Sequence, residues 1–177
     1  MDSTKRSKPN VLITGTPGTG KTTTSEMVSD LSSYTLINVS EIIKKHNLHD
    51  GYDEEFDTYW LNIDKLIDFL EDQVSGGGCI VDYHSCDIFP ERWFDLVVVL
   101  RTSTENLYDR LVARNYNQKK INENMECEIM QVVLEEAREG YNPDIVVELT
   151  SDNVQEIEDN VLYVQDWILK NEKSQLN

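Results

Sequence analysis

Gly15 to Thr22 reads GTPGTGKT and fills every fixed position of the pattern G-x-x-x-x-G-K-[ST]. It follows the apolar run Val11–Thr14 and leads into helix-forming residues, the context that the pattern requires. The chemistry on offer is phosphate binding. Glycines let the backbone curl so that its N–H groups face phosphate oxygens. The helix that follows adds the positive end of its dipole. Lys21 reaches the outer phosphates of a nucleoside triphosphate, and the Thr22 hydroxyl can ligate Mg²⁺. Thr23 can offer its N–H and hydroxyl to the inner phosphate. A glycine-rich turn with a chance lysine is the bland alternative, and the flanking strand and helix patterns argue against it.

Two further groups fit the same chemistry. CIVDYH over Cys79–His84 is an apolar strand ending in Asp82, and a strand-end carboxylate is the usual neighbour of the Mg²⁺ water shell beside a phosphate loop. His84 points to the same side as Asp82 if the strand continues, where it could contact an acceptor or position water. Its alternative is a hydrogen-bonding loop histidine. Arg110 and Arg114 share a helix face at the mouth of the polar segment RNYNQKK. Guanidinium groups suit phosphate clamping, and a closing arginine neutralises charge that develops during phosphoryl transfer. Pairing with Asp109 or Glu105 on a solvated face is the competing reading. Arg92 in FPERW is another candidate phosphate ligand, whereas Lys119 and Lys120 read as surface charges.

These groups need a scaffold. Apolar runs at Val11–Thr14, Thr35–Asn38, Cys79–Asp82, Leu96–Leu100 and Ile145–Leu149 are short and nearly continuous, as parallel strands covered on both faces should be. Helical spacing links Ile63, Leu66, Ile67, Leu70 and Val74, then Val154, Ile157, Val161, Val164 and Ile168. A third helix is marked by Ile121, Met125, Ile129, Val132 and Val133. Ser75-Gly76-Gly77-Gly78 stops one helix before a strand. The alternation predicts an α/β fold on a parallel sheet. Asn47–Asp57 and Arg114–Lys120 read as irregular insertions, which in compact domains tend to be binding loops or lids.

A length of 177 residues is one domain's worth. The net charge of −17 disfavours direct nucleic-acid binding and favours a basic protein partner or none. Cys79, Cys86 and Cys127 are odd in number and lack metal-ligand spacing, so a reducing compartment without disulfide or zinc is expected. No run approaches the ~18 apolar residues of a membrane span. MDSTKRSKPN carries neither an apolar signal core nor a mitochondrial pattern, and its Lys5, Arg6 and Lys8 read as a solvated tail rather than a nuclear-import element.

Taken together, GTPGTGKTT, NVSEI, DGYDEE, IVDYHSCDIFPERWFDLVVVLRT and LYDRLVARNYNQKKINENMECEIMQVV closely resemble the adenylate kinase isoenzyme 6 family, from about Asn10 to about Trp167. The DYHxxDxFPER block is far more specific than the phosphate loop. The resemblance implies a P-loop NTPase of the nucleoside-monophosphate-kinase kind, with a five-stranded parallel sheet flanked by helices. It implies a single domain over 11–171 between a disordered N-terminal tail at 1–10 and a C-terminal tail at 172–177, with a monophosphate-binding segment over about 38–61 and a short lid over about 113–123. The family's ATP ligands fall on Gly18, Gly20, Lys21, Thr22 and Thr23, its lid arginine on Arg114, and its Asp-x-His pair on Asp82 and His84. An adenine-contacting position falls near Asn153. The implied cofactors are ATP and Mg²⁺, with AMP and dAMP as preferred acceptors and water as another. A monomer in nucleus and cytoplasm, bound to a basic small-subunit ribosomal protein and acting in rRNA-precursor cleavage, is also implied. One departure stands out: Lys44 and Lys45 occupy the monophosphate-binding helix, where ordinary adenylate kinases use an arginine with a bidentate fork.

Two readings follow. The first is an enzyme that transfers the γ-phosphoryl group of MgATP to a nucleoside monophosphate, with positioning and electrostatics as its main tools. The second is an assembly factor whose ATP state switches its grip on a ribosomal protein, with Asp82 and His84 orienting water. A kinase of another small hydroxylated metabolite is a weaker third.

Overall fold

Alternate residues of the first strand go to opposite cores. Val11 and Ile13 are buried on one face of the sheet and Leu12 on the other. This period of two, repeated at Ile80/Val81 and Val97/Val98, means that helices must cover both faces. The computed structural model describes residues 6–175 and meets that demand. Five parallel strands, β1 (Val11–Thr14), β2 (Thr35–Asn38), β5 (Cys79–Asp82), β6 (Leu96–Arg101) and β7 (Val146–Thr150), lie in the order β2-β5-β1-β6-β7. Helices α1 (Lys21–Ser32) and α7 (Val154–Gln175) cover one face through Val28, Val161, Val164 and Ile168. Helices α2 (Val39–His46), α3 (Ile63–Ser75) and α6 (Val132–Gly140) cover the other, where Leu66, Leu70, Leu134 and Ala137 are among the buried residues. Helices α4 (Thr104–Ala113) and α5 (Gln118–Ile129) pack together through Leu107, Leu111 and Ile121. Among the described residues no helix is long and apolar enough to cross a membrane.

The order of strands places β1 at the centre, with β5 and β6 on either side. The chain jumps over β1 between them, which opens a crevice at the carboxyl ends of these strands, where ligands of open α/β sheets bind.

Three expectations about the elements are corrected. Asn47–Asp57 is not irregular: β3 (His49–Asp53) and β4 (Thr58–Leu61) form an antiparallel hairpin, with Tyr52 opposite Tyr59. The Asp53 carboxylate accepts the N–H groups of Glu55 and Phe56, and Asp57 takes the left-handed conformation that closes the turn. In Arg114–Lys120, Asn117 caps α5 by accepting the Lys120 N–H at 2.8 Å, so only Arg114–Asn117 is a turn. The third helix is two helices, broken at Gln131, which has φ +57°. The apolar period there misleads because Ile129 and Met130 are exposed and Glu128 is buried in their place.

The expected tail at 1–10 is anchored over residues 6–10. Asn10 is fully buried and its side chain donates to the carbonyls of Val74 and Trp93 and accepts the Cys79 N–H. Arg6 pairs with Asp95 at 2.8 Å. Gly77, at φ +78°, is required because a Cβ there would lie 2.3 Å from the Lys8 carbonyl. Lys5 of the basic cluster, with residues 1–4 and 176–177, lies outside the described residues. Helix α7 runs on through residue 175, into the stretch expected as a tail.

Candidate functional site

The phosphate loop follows β1 and ends at Gly20, which is the N-cap of α1. Gly20 has φ +89° and contributes no side-chain cap, so the first N–H groups of the helix remain available to an anion. Gly18 has φ +98°, and a Cβ there would sit 2.8 Å from Leu107 Cδ1, so the loop must pass this close to α4 without a side chain. Lys21 stands on the first turn and its Nζ donates to the Thr16 carbonyl at 3.1 Å. The Thr22 hydroxyl donates to Asp82 Oδ2 at 2.6 Å, across from the end of β5. The loop and the strand-end carboxylate therefore meet.

A cleft of about 1050 Å³ opens beside them. Pro17, Gly18, Lys21 and Thr22 line one side, and Asn38, Glu41, Lys44 and Tyr59 the other. Its cations are Lys21, Lys44, Arg114 and Lys120, in a protein of net charge −17. The lining also carries six carboxylates, Glu41, Asp57, Asp82, Glu123, Glu126 and Glu136, so phosphate is drawn by the placement of Lys21 at the loop and not by an overall reversal of sign. Asp82 and Thr22 suit one Mg²⁺ bound mainly by nucleotide phosphates and water: the carboxylate and hydroxyl oxygens already lie together. Among the described residues there is no cluster of three or more carboxylate, histidine and cysteine ligands, so an all-protein cage is not available.

Burial shapes the protonation states. Desolvation pushes Asp82 above the usual carboxylate range, opposed by the Thr22 hydrogen bond and Lys21. His84 lines the cleft, and burial, helped by Lys21 and Lys120, pushes it down to about 4. It is therefore neutral near pH 7, a weak base that can hold a water by a hydrogen bond. Burial also lowers Lys21 to about 8, with Asp82 opposing and Arg114 adding to the shift.

A polyphosphate beside Lys21 restores its ordinary, higher value. Below about pH 8 the lysine is charged both free and bound, so Lys21 contributes no change of affinity with pH. Above about pH 8 the free protein loses a proton that the complex keeps. ATP affinity is then expected to fall by up to about tenfold per pH unit. Calorimetry near pH 8 in buffers of different ionisation enthalpy should register proton uptake on binding. Absence of uptake would place Lys21 away from the phosphates.

Other predicted residues are placed differently. Arg110 does not line the cleft. Its guanidinium donates to the carbonyls of Gly18, Ser151 and Asp152 and to the Thr102 hydroxyl, at 2.8–3.2 Å, and so ties the phosphate loop to the β7–α7 connection. Arg114 alone of the pair is exposed at the cleft rim. Thr23 is exposed on the first turn of α1 and is not a lining residue. Asn153 spends its side chain capping α7, accepting the Glu156 N–H at 3.0 Å. Arg92 lies away from the cleft and pairs with Glu71 at 2.9 Å.

Lys119 and Lys120 are more than surface charges. Lys119 pairs with Glu55, and Lys120 donates to the Asp57 carbonyl at 2.7 Å. Their ammonium groups sit over the rings of Phe56 and Tyr116. The turn of the β3–β4 hairpin and the start of α5 thus latch together across the cleft. Sequence reasoning missed this latch because its partners are separated by more than 60 residues. It also missed Glu128, whose buried carboxylate no periodicity could reveal.

Known proteins bear on this geometry. A family model described as an AAA domain matches residues 11–131. The chain is 52% identical over 164 residues to an adenylate kinase isoenzyme 6 homolog of Dictyostelium discoideum, covering 93% of this chain and 94% of that one. It is 46% identical to the corresponding homolog of Saccharomyces cerevisiae, over 92% of this chain and 83% of the relative. Among solved structures, shikimate kinase from Bacteroides thetaiotaomicron superposes with a TM-score of 0.62 at 15% identity, covering 90% of this chain and 97% of that one. Shikimate kinase from Acinetobacter baumannii gives 0.60 at 16%, over 93% and 94%. At such identities these two speak for the fold alone.

Proposed function

The chain belongs to the adenylate kinase isoenzyme 6 family, with a P-loop nucleotide-kinase-like fold, and from that premise we propose that it moves the γ-phosphoryl group of MgATP to a nucleoside monophosphate. The observation that carries this reading is a single cleft with a phosphate loop on one wall and Lys44 on the other, bridged by two latched flaps. ATP lies on the loop, its phosphates held by the N–H groups of Gly18 and Gly20 and by Lys21. Thr22 and Asp82 would hold Mg²⁺, which would supply charge neutralisation for the transferring group. The acceptor lies between α2 and the hairpin, and Lys44 meets its phosphate as a point charge in place of an arginine fork. Arg114 closes on the reacting oxygens, and Arg110 stiffens the loop that carries Asn153 beside the adenine. Latching the flaps excludes water, which is the competing acceptor.

AMP and dAMP are the acceptors this reading favours. Incubation with MgATP and each nucleoside monophosphate in turn tests it. Failure of all of them to accept phosphate would overturn it in favour of another small hydroxylated acceptor.

A second reading is supported by His84, held neutral next to Asp82, where it can orient water. ATP hydrolysis would then drive a switch on a basic ribosomal protein during small-subunit maturation, in nucleus and cytoplasm, and the charge of −17 suits such a partner. His84→Ala should lower acceptor-free hydrolysis by roughly tenfold, as loss of a group that positions the attacking water does. Unchanged hydrolysis would remove His84 from the site's chemistry.

A further inference from the structure

Glu128 is a carboxylate with 4% of its surface exposed, on the last turn of α5. A buried charge is tolerated only when it is paired and fully hydrogen-bonded. Here its two oxygens are divided between two elements. Oε2 accepts the Thr16 hydroxyl of the phosphate loop at 2.6 Å. Oε1 accepts Arg101 Nε at 2.5 Å and the Thr102 N–H at 3.3 Å, both at the end of β6. Arg101 also donates to the Glu128 carbonyl at 3.2 Å, so the residue is gripped at both main chain and side chain.

Thr16 is fully buried and held on its other side too. Its carbonyl accepts the Thr19 N–H at 3.2 Å, the Thr19 hydroxyl at 2.8 Å and Lys21 Nζ at 3.1 Å. The peptide that carries this carbonyl opens the turn of the loop. Its direction sets where the following N–H groups and the lysine start. A hydroxyl–carboxylate bond at this distance is a charge-assisted one and roughly twice as strong as a neutral bond.

We infer that Glu128 is a positioning residue for the donor: through the Thr16 hydroxyl it holds the phosphate loop in the shape that receives a nucleotide's phosphates. The same helix carries Lys119 and Lys120 at its other end, where they grip the hairpin. α5 is thus a strut between the flaps and the loop, and Glu128 is the point where it bears on the loop. The inference rests on the reading of the loop as the ATP site and does not depend on the identity of the acceptor.

The test is calorimetric binding of the magnesium complex of a non-hydrolysable ATP analogue. Thr16→Val keeps the shape and leaves the Glu128–Arg101 pair in place, so it removes the Thr16–Glu128 bond at the cost of a buried carboxylate oxygen without its donor, and affinity rather than stability is the readout. Glu128→Gln removes the charge from the other side. Each is expected to weaken binding by roughly tenfold, the worth of one hydrogen bond to a charged group. The double variant should lose less than the product of the two single losses, since both substitutions act on the same bond. Thr16→Ser, which restores the hydroxyl, should recover most of the loss seen with valine. A role in stability alone would move the melting temperature of Glu128→Gln and leave the Thr16→Val affinity at the wild-type value, and that result overturns the inference. Losses that multiply in the double variant overturn it as well. Should Glu128→Gln fail to fold, the valine and serine variants decide. If the wild type does not bind the analogue, the ATP-site reading itself fails, an outcome distinct from normal wild-type binding with unaffected variants.

Discussion

Lys21→Ala should remove ATP turnover both with and without AMP, lowering kcat/KM for ATP by at least on the order of 10³-fold, the scale of losing a main preorganised charge in a closed site. Among the described residues no other cation stands on the loop, and Lys120 is engaged with Asp57 of the hairpin. Lys44 lies on the acceptor wall, and Arg114 stands at the rim. The loss should not come from unfolding. Lys21 makes one hydrogen bond, to the Thr16 carbonyl, and burial lowers its affinity for a proton to about 8. A lysine whose folded value is lowered costs the native state stability wherever it is forced to carry charge, which is everywhere below about pH 8. Stability due to this group rises only as pH climbs from there towards the unfolded value. At pH 7 the alanine variant is therefore expected to melt no lower than the wild type, and higher if the relief is expressed. Turnover above a hundredth of wild type, or collapse of the fold, would contradict this account of the loop.

Asp82→Asn carries the second large effect. The carboxylate is 4% exposed and accepts the Thr22 hydroxyl at 2.6 Å. Asparagine keeps the size and an acceptor oxygen but removes the charge that Mg²⁺ would meet. A drop of roughly 10–100-fold in turnover is expected, the usual cost of altering a group that supports a metal. The Mg²⁺ dependence should shift to higher concentration, and excess Mg²⁺ should recover part of the rate. Stability again should hold. Burial raises the Asp82 value, so the ionised group opposes folding above its unfolded value, and the neutral amide is free of that cost. An unmoved Mg²⁺ curve would place the metal elsewhere. Lys21 and Asp82 share one trait: each is a partly or fully desolvated charge kept at some expense to the fold, opposed in sign and ready to be satisfied by MgATP.

The parts of the site legible in the sequence are those fixed by local rules. GTPGTGKT works through backbone angles that only glycine adopts easily, so its letters carry its geometry. Asp82 was legible because a fully buried strand ends there and the chain must turn out at the crevice. The five parallel strands were legible because both of their faces are buried. What the sequence hid depends on contacts between distant residues. In the hairpin at His49–Leu61 the first strand, HDGYD, is polar and half-exposed and the second, TYWL, is only four residues long, so neither carries the apolar alternation over enough residues to mark a strand. The break at Gln131 follows from the burial of Glu128, which obeys the needs of Thr16 and Arg101 rather than any helical period. Arg110 and Arg114 are equivalent by spacing, yet three carbonyls and a hydroxyl at the foot of α4 hold Arg110 and leave Arg114 at the cleft. Arg92 reads as a candidate ligand by type alone, and Glu71 on α3 claims it.

The most direct test separates the products. Purified protein is incubated with MgATP, with and without AMP, and ADP and inorganic phosphate are quantified independently. A cleft whose flaps latch over two nucleotides predicts ADP formation that depends on AMP, with free phosphate a minor product. Free phosphate released at a similar rate whether or not AMP is present would contradict that account and make water the true acceptor.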